Sequence, residues 1–245
     1  MQCVILAGGL GTRMRPFTQT VPKALLDVAG RPFADHQLEL LSDQGFTDVV
    51  FSVGYLGDMI RDHVGTGRRW GLHVSYVDEG ARLRGTAGAL RLAIEHGVVA
   101  DQFAVLYGDS YLPIDVEPVA DAFTRGGMPA LMTVLHNRNR WDASNVAYAD
   151  GMVLRYEKGV DDPAMEYIDY GLGWWERFAI EERVEPGRVS DLADLYRDLS
   201  RQGLLAGYEV HERFYEIGSP AGLAELEARM RRAPNPRPDG DPPVT

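Results

Sequence analysis

Cysteine is almost missing from the 245 residues: Cys3 is the only one. No disulfide framework can therefore be built, and its place inside an apolar run predicts a buried thiol. Nor is there an apolar run near the roughly 20 residues of a membrane span. No basic leader with a cleavage site opens the chain, so a cytoplasmic protein without a membrane partner is expected. Positive charge is also short, 25 basic against 36 acidic residues for a net charge of −11, which argues against a nucleic-acid partner. The six histidines (His36, His63, His73, His96, His136 and His211) lack the spacing of a zinc site. Lysine is scarce too: Lys23 and Lys158 are the only lysines among those 25 basic residues. A chain that uses arginine elsewhere marks these two positions as candidates for a compact ammonium that a planar fork would not replace.

What is present is a strand–helix alternation. "QCVIL", "DVVFSVG", "LHVSYVDE" and "DQFAVLYGD" read as strands, and "FADHQLELLSDQGF", "LGDMIRDHVG" and "TAGALRLAIEHG" as helices between them. Such alternation implies βαβ units, a parallel sheet covered on both faces, and ligands at the carboxyl edge of the strands. After about residue 129 the pattern turns to strands with hairpin connections, among them a turn at Ala149-Asp150-Gly151. A helix follows with Ser190 or Asp191 as N-cap and Gly203 as its stop. The last helix opens on Ser219 and Pro220. One catalytic domain over 1–232 is expected, in two halves of about 1–128 and 129–232, with residues 233–245 a Pro-rich flexible tail.

The stretch "ILAGGLGTRMRP" (5–16) carries the first chemistry. A strand ends at Leu6 and Ala7. Gly8, Gly9 and Gly11 then bare the backbone, and Thr12, Arg13 and Arg15 follow. Exposed amides beside guanidinium groups suit an anionic ligand, most simply phosphate. The loop is neither of the two common phosphate motifs. Met14 stands where the dinucleotide fingerprint needs its third glycine, and no G-x-x-x-x-G-K-[ST] occurs. Within residues 1–31 the cations Arg13, Arg15, Lys23 and Arg31 face one acid, Asp27, so the region is locally positive in an acidic chain.

The pair G-G-L-G-T-R-M-R-P and V-P-K-A-L-L-D-V-A-G-R-P (21–32) resembles the signature of the sugar-1-phosphate nucleotidylyltransferases, and the likeness runs over roughly 1–230. Within that family, "NRWDASNVAY", "RYEK" and "YIDYGLG" resemble the branch acting on manno-heptose or mannose 1-phosphate with GTP. The resemblance implies a Rossmann-like three-layer α/β/α nucleotidyltransferase fold with a mixed, mostly parallel central sheet. It implies NTP and sugar 1-phosphate as substrates and Mg²⁺ as cofactor, and leaves a homodimer open. It also implies roles for individual residues. Leu6, Ala7, Gly8, Gly9, Gly11, Thr12 and Arg13 hold the nucleotide, with Lys23 at the reacting centre, and Arg13, Lys23 and Asp109 are the catalytic residues. Glu79 reads the base, GTP being favoured, and Gly85 and Thr86 close on it. Asp109 of "LYGDS" and Glu216 of "YEIGSP" hold the metal, although the family commonly has aspartate at the second place. Gly108, Glu157, Lys158, Asp169 and Gly171 take the sugar phosphate. The alternatives are a UTP- or CTP-using enzyme for another phosphorylated acceptor, such as phosphocholine, and a nucleotide-sugar binding subunit without turnover.

Overall fold

A computed structural model of the chain describes residues 1–232; the expected tail at 233–245 lies outside them. Strand β1 (Gln2–Ala7) starts the chain, and two short pieces, β2 (Asp27–Val28) and β3 (Arg31–Pro32), lead into α1 (Phe33–Asp43). Then come β4 (Asp48–Val53), α2 (Gly57–Val64), β5 (His73–Asp78), α3 (Gly85–Glu95), β6 (Gln102–Tyr107), β7 (Ser110–Tyr111) and α4 (Glu117–Gly126). The C-terminal half holds β8 (Ala130–His136), β9 (Val146–Ala149), β10 (Met152–Tyr156), β11 (Tyr167–Glu176), α5 (Arg177–Glu181), α6 (Leu192–Arg201), β12 (Leu205–Val210), β13 (Tyr215–Glu216) and α7 (Pro220–Arg232).

Nine strands form one sheet in the order β5-β4-β1-β6-β11-β8-β12-β10-β9. Its first four strands are parallel, as the βαβ pattern requires, and β8 and β12 are parallel to each other. β11 runs antiparallel between β6 and β8 and so joins the two halves edge to edge. The expected hairpin chain reduces to one tight hairpin, β9–β10, whose turn residues Asp150 (φ 50°) and Gly151 (φ 77°) both take the left-handed conformation. The run "RFYEIG" yields only the two residues of β13, which pair with β7.

Alternating side chains of β1 feed two cores, Cys3 and Ile5 on one face and Val4 on the other. The first core is closed by α1, α2 and α4 through Leu38, Ile60 and Phe123, the second by α3, α5 and α6 through Leu90, Ile180 and Leu195. The three layers are thus those expected. Cys3 is fully buried, which pushes its thiol up, as its place in the strand implies. A third, smaller core brings Ile217 and Leu226 against Met14, Val28 and Phe33, so the C-terminal segment folds back onto the N-terminal loop. Among the described residues no helix is long and apolar enough to cross a membrane.

Candidate active site

The parallel pairing of β1 with β6 sets Leu6 beside Tyr107. The glycine loop after β1 and the "YGD" turn after β6 therefore leave the sheet at the same edge. Between them lies a cavity of about 230 Å³. Leu6, Ala7, Gly8, Gly9 and Gly11 form one wall, Lys23, Gly108 and Asp109 another, and Glu79, Gly85 and Thr86 a third. Nine of the residues assigned to the nucleotide from sequence line this single space. Gly11 has φ 59°, a conformation that favours glycine, and Gly9 faces open space where a Cβ would stand.

Lys23 Nζ donates to Asp109 Oδ2 at 2.8 Å, with both side chains about one-fifth exposed. Across 86 residues, two candidate catalytic groups thus meet at the cavity wall. The β7–β13 pairing sets Glu216 opposite Ser110, and the Ile217 amide donates to the Asp109 carbonyl at 2.9 Å. Both carboxylates proposed for a metal are therefore held by one pair of short strands. Protein atoms crowd the Glu216 carboxyl although solvent reaches it. Desolvation, and then the Asp109 charge, push it up to about 7 against the opposing pull of Arg13. Arg13 does not line the cavity. Its guanidinium lies beside Gly218 together with Asp109 Oδ2, at the metal-side rim. Thr12 is likewise exposed outside the cavity, at the start of a short 3-10 turn. Two repelling carboxylates with cations nearby fit Mg²⁺, which takes one or two protein carboxylates and completes its shell with phosphate oxygens and water. Among the described residues no third ligating group joins them.

Glu79 is 8% exposed, and its Oε2 accepts the Arg84 amide at 3.0 Å. Burial raises its carboxyl, and the Arg84 amide and charge partly offset this. A Cβ on Gly8 would strike Glu79 Oε1, so Gly8 lets the glycine loop and this carboxylate approach.

Several sequence-based assignments change. Gly108 was placed with the sugar phosphate, but it lines the nucleotide cavity, and its missing Cβ leaves room for Leu6 O at 2.7 Å. Gly85 is expected to close on the base. Its backbone does line the cavity, yet the space of its Cβ is taken by the Ser190 carbonyl at 2.5 Å. The Thr86 amide and hydroxyl are engaged by Asp191 and Leu192. Glu157, expected to take the sugar phosphate, is held by Arg197 (3.5 Å) and Arg201 (3.1 Å) of α6.

Lys158 lies over the Tyr107 ring, 5.9 Å from its centroid, and Tyr107 itself lines the cavity. Asp169 is deep-set, and burial raises its carboxyl against the pull of Lys158 and of the Gly171 amide, which it accepts at 3.0 Å. Gly171 (φ 101°) sits in the β11 irregularity, facing Ser110 and Tyr107. Lys158 and Gly171 thus lie against Tyr107, next to the cavity and outside its lining.

The family model for nucleotidyl transferases matches residues 2–231. The chain belongs to the nucleotidyl transferase family. An N-acetylmuramate alpha-1-phosphate uridylyltransferase of Neisseria meningitidis is 31% identical, over 93% of this chain and 97% of its own. A mannose-1-phosphate guanyltransferase beta-A of Xenopus laevis is 29% identical over 90% of this chain and 62% of its own, so the chain spans under two thirds of that longer relative. Among solved structures, HddC from Yersinia pseudotuberculosis complexed with GMP-PN is 25% identical with a TM-score of 0.77, covering 94% of this chain and 99% of that one. The cavity also has lining residues that were not singled out from the motifs. Ala24, Leu83, Ala89 and Tyr107 line the cavity, and Asp191 reaches it from the other half of the chain. Only Asp191 had a sequence signal, and that signal read as the cap of its own helix.

Proposed function

We propose that the chain transfers a nucleotidyl group from an NTP to a sugar 1-phosphate in the presence of Mg²⁺. An oxygen of the sugar phosphate attacks the α-phosphorus, the bond to the β-phosphate oxygen breaks, and pyrophosphate leaves. One observation carries this reading. The bare amides of the glycine loop, Lys23, Asp109 and Glu216 meet at one strand edge, where two phosphorylated molecules would have to be held against their mutual repulsion.

The loop amides of Gly8, Gly9 and Gly11 would take the NTP phosphates. Lys23, now resting on Asp109, is the cation free to follow the reacting phosphate once that carboxylate turns to the metal. Arg13 holds charge at the same rim. Lys158 would bind the phosphate of the acceptor, and Glu157 and Asp169 its hydroxyls. Mg²⁺ held by Asp109 and Glu216 would supply charge neutralisation at the phosphates. No covalent enzyme intermediate is needed, so catalysis is positioning plus electrostatics.

For the base we favour guanine, because an ionised Glu79 accepts two hydrogen bonds from guanine N1–H and N2–H₂. The uridylyltransferase among the relatives supports a second reading. A protonated Glu79 would offer one donor and one acceptor, which suits uracil O4 and N3–H, and burial pushes Glu79 towards that form. We further favour a manno-configured heptose or hexose as the acceptor sugar, from the sequence branch resemblance. The test is pyrophosphate release with four NTPs against heptose, mannose, glucose and N-acetylmuramate 1-phosphates, with and without Mg²⁺, at pH 6 and pH 8.5. Turnover with GTP that strengthens at pH 8.5 supports the guanine reading, and preference for UTP at both pH values replaces it. No release with any pair overturns the function.

A further inference from the structure

The helices α3 and α6 come from different halves of the chain, yet each is capped by the other. Asp191 precedes α6 but makes no side-chain cap to that helix. Its Oδ1 instead accepts the Thr86 amide at 3.1 Å, in the first turn of α3, 105 residues away. Thr86 answers in kind, its Oγ1 accepting the Leu192 amide at 2.7 Å, in the first turn of α6. The stitch is tightened by the backbone. The Ser190 carbonyl accepts the Ala87 and Gly88 amides at 2.9 and 3.0 Å, and the Ser190 amide donates to the Arg84 carbonyl at 2.9 Å. Gly85 and Gly88 make this approach feasible, since a Cβ on them would meet Ser190 O at 2.5 Å and Arg188 O at 2.7 Å.

Both ends of this joint reach something that matters to the reaction. On one side, Gly85, Thr86 and Asp191 line the nucleotide cavity. On the other, α6 carries Arg197 and Arg201, the two partners of Glu157. Tyr196 of the same helix accepts the Trp175 indole N–H at 3.1 Å, which fixes α6 to β11, the strand of Asp169 and Gly171. The cavity thus borders Asp191, the residue just before the helix whose arginines hold Glu157.

We infer that Asp191 is a positioning residue that couples the two substrate sites, so that nucleotide binding orders α6 and, through Arg197 and Arg201, sets Glu157 for the acceptor. This rests on the proposed nucleotidyl transfer. The test is hydrogen exchange on the full chain with and without saturating α,β-methylene GTP and α,β-methylene UTP, each in turn. In the wild type, nucleotide is expected to slow exchange over residues 5–12 and also over 190–201, the latter by about tenfold, a usual size for coupling between sites. Asp191→Ala keeps the effect at 5–12 and loses it at 190–201. Its KM for the acceptor rises about tenfold while kcat stays within about threefold. Asp191→Asn, which keeps an oxygen for the Thr86 amide, restores most of both. Should Asp191→Ala fail to fold, Thr86→Val breaks the joint from the other side by removing the acceptor of the Leu192 amide, and the same loss at 190–201 is expected. Undiminished nucleotide-dependent slowing at 190–201 in these variants, or a wild type slowed at 5–12 alone, overturns the coupling. A wild type slowed at neither segment by either analogue overturns the proposed function itself, and the coupling with it.

Discussion

The nucleotide wall and the acceptor wall are built from different materials. Along the first, from Leu6 to Gly11, the chain offers backbone and empty space, and a Cβ at Gly9 would touch nothing. Along the second, the carboxylates already have partners: Glu157 with two arginines, and Asp169 with the Gly171 amide. The first wall needs no rearrangement to receive an anion. The second must exchange internal contacts for substrate contacts, and such exchanges discriminate sharply between ligands because an unmatched buried polar group is costly. On the proposed function, the difference implies that the nucleotide phosphates are bound by geometry common to any NTP, while the choice of acceptor rests on side chains.

Four changes would break or sharpen this contrast. The largest effect is expected where the walls meet. Lys23→Ala should lower kcat by roughly 10²–10³ in a pyrophosphate-release assay while leaving the melting temperature within a few degrees; unchanged turnover would remove Lys23 from the chemistry. Next, Gly8→Ala introduces a methyl group that strikes Glu79 Oε1. KM for the NTP should rise about tenfold or more with little change in the acceptor KM, and a rise confined to the acceptor would reverse the assignment of the walls. Third, Glu157→Gln weakens its ties to Arg197 and Arg201. The acceptor KM should rise about three- to tenfold with the NTP KM unmoved, as steady-state kinetics at saturating NTP will reveal.

The smallest effect concerns stability. The folded state raises the Glu216 carboxyl to about 7, above its value in an unfolded chain. A raised carboxyl contributes stability that is present below its unfolded pKa and lost as pH climbs through the folded one. Glu216→Gln stays neutral throughout. In metal-free protein its melting temperature should therefore exceed wild type by about 2–4 °C at pH 8, and the gap should shrink as the pH falls towards 4.5. The shift is kept small because solvent reaches the group. A gap independent of pH would show that the repulsion with Asp109 is not its source.

Much of this was legible in the residues. The glycine loop and "YGD" both end buried parallel strands, so their meeting at one edge follows from the βαβ pattern. The two lysines stood out against a background of arginine, and both lie at the site. What could not be read were contacts between distant segments. Nothing in "LRGTAGAL" says that its glycines make room for the Ser190 and Arg188 carbonyls, because local composition is the same for a loop that approaches a ligand and one that approaches its own chain. The arginine partners of Glu157 lie 40 and 44 residues away and depend on how α6 is laid on the sheet. The position of Arg13 was not legible for a related reason. Its neighbours in sequence enter the cavity, but the 3-10 turn of Thr12–Met14 points it towards Gly218 at the rim.

The antiparallel strand β11 hydrogen-bonds to β6 on one side and β8 on the other. The molecule consequently has no seam along which it could open like a clam, since separating its halves would mean unzipping a strand from the middle of the sheet. If the protein acts as proposed, entry and exit of its two phosphorylated substrates are left to the connecting segments above the strand tips.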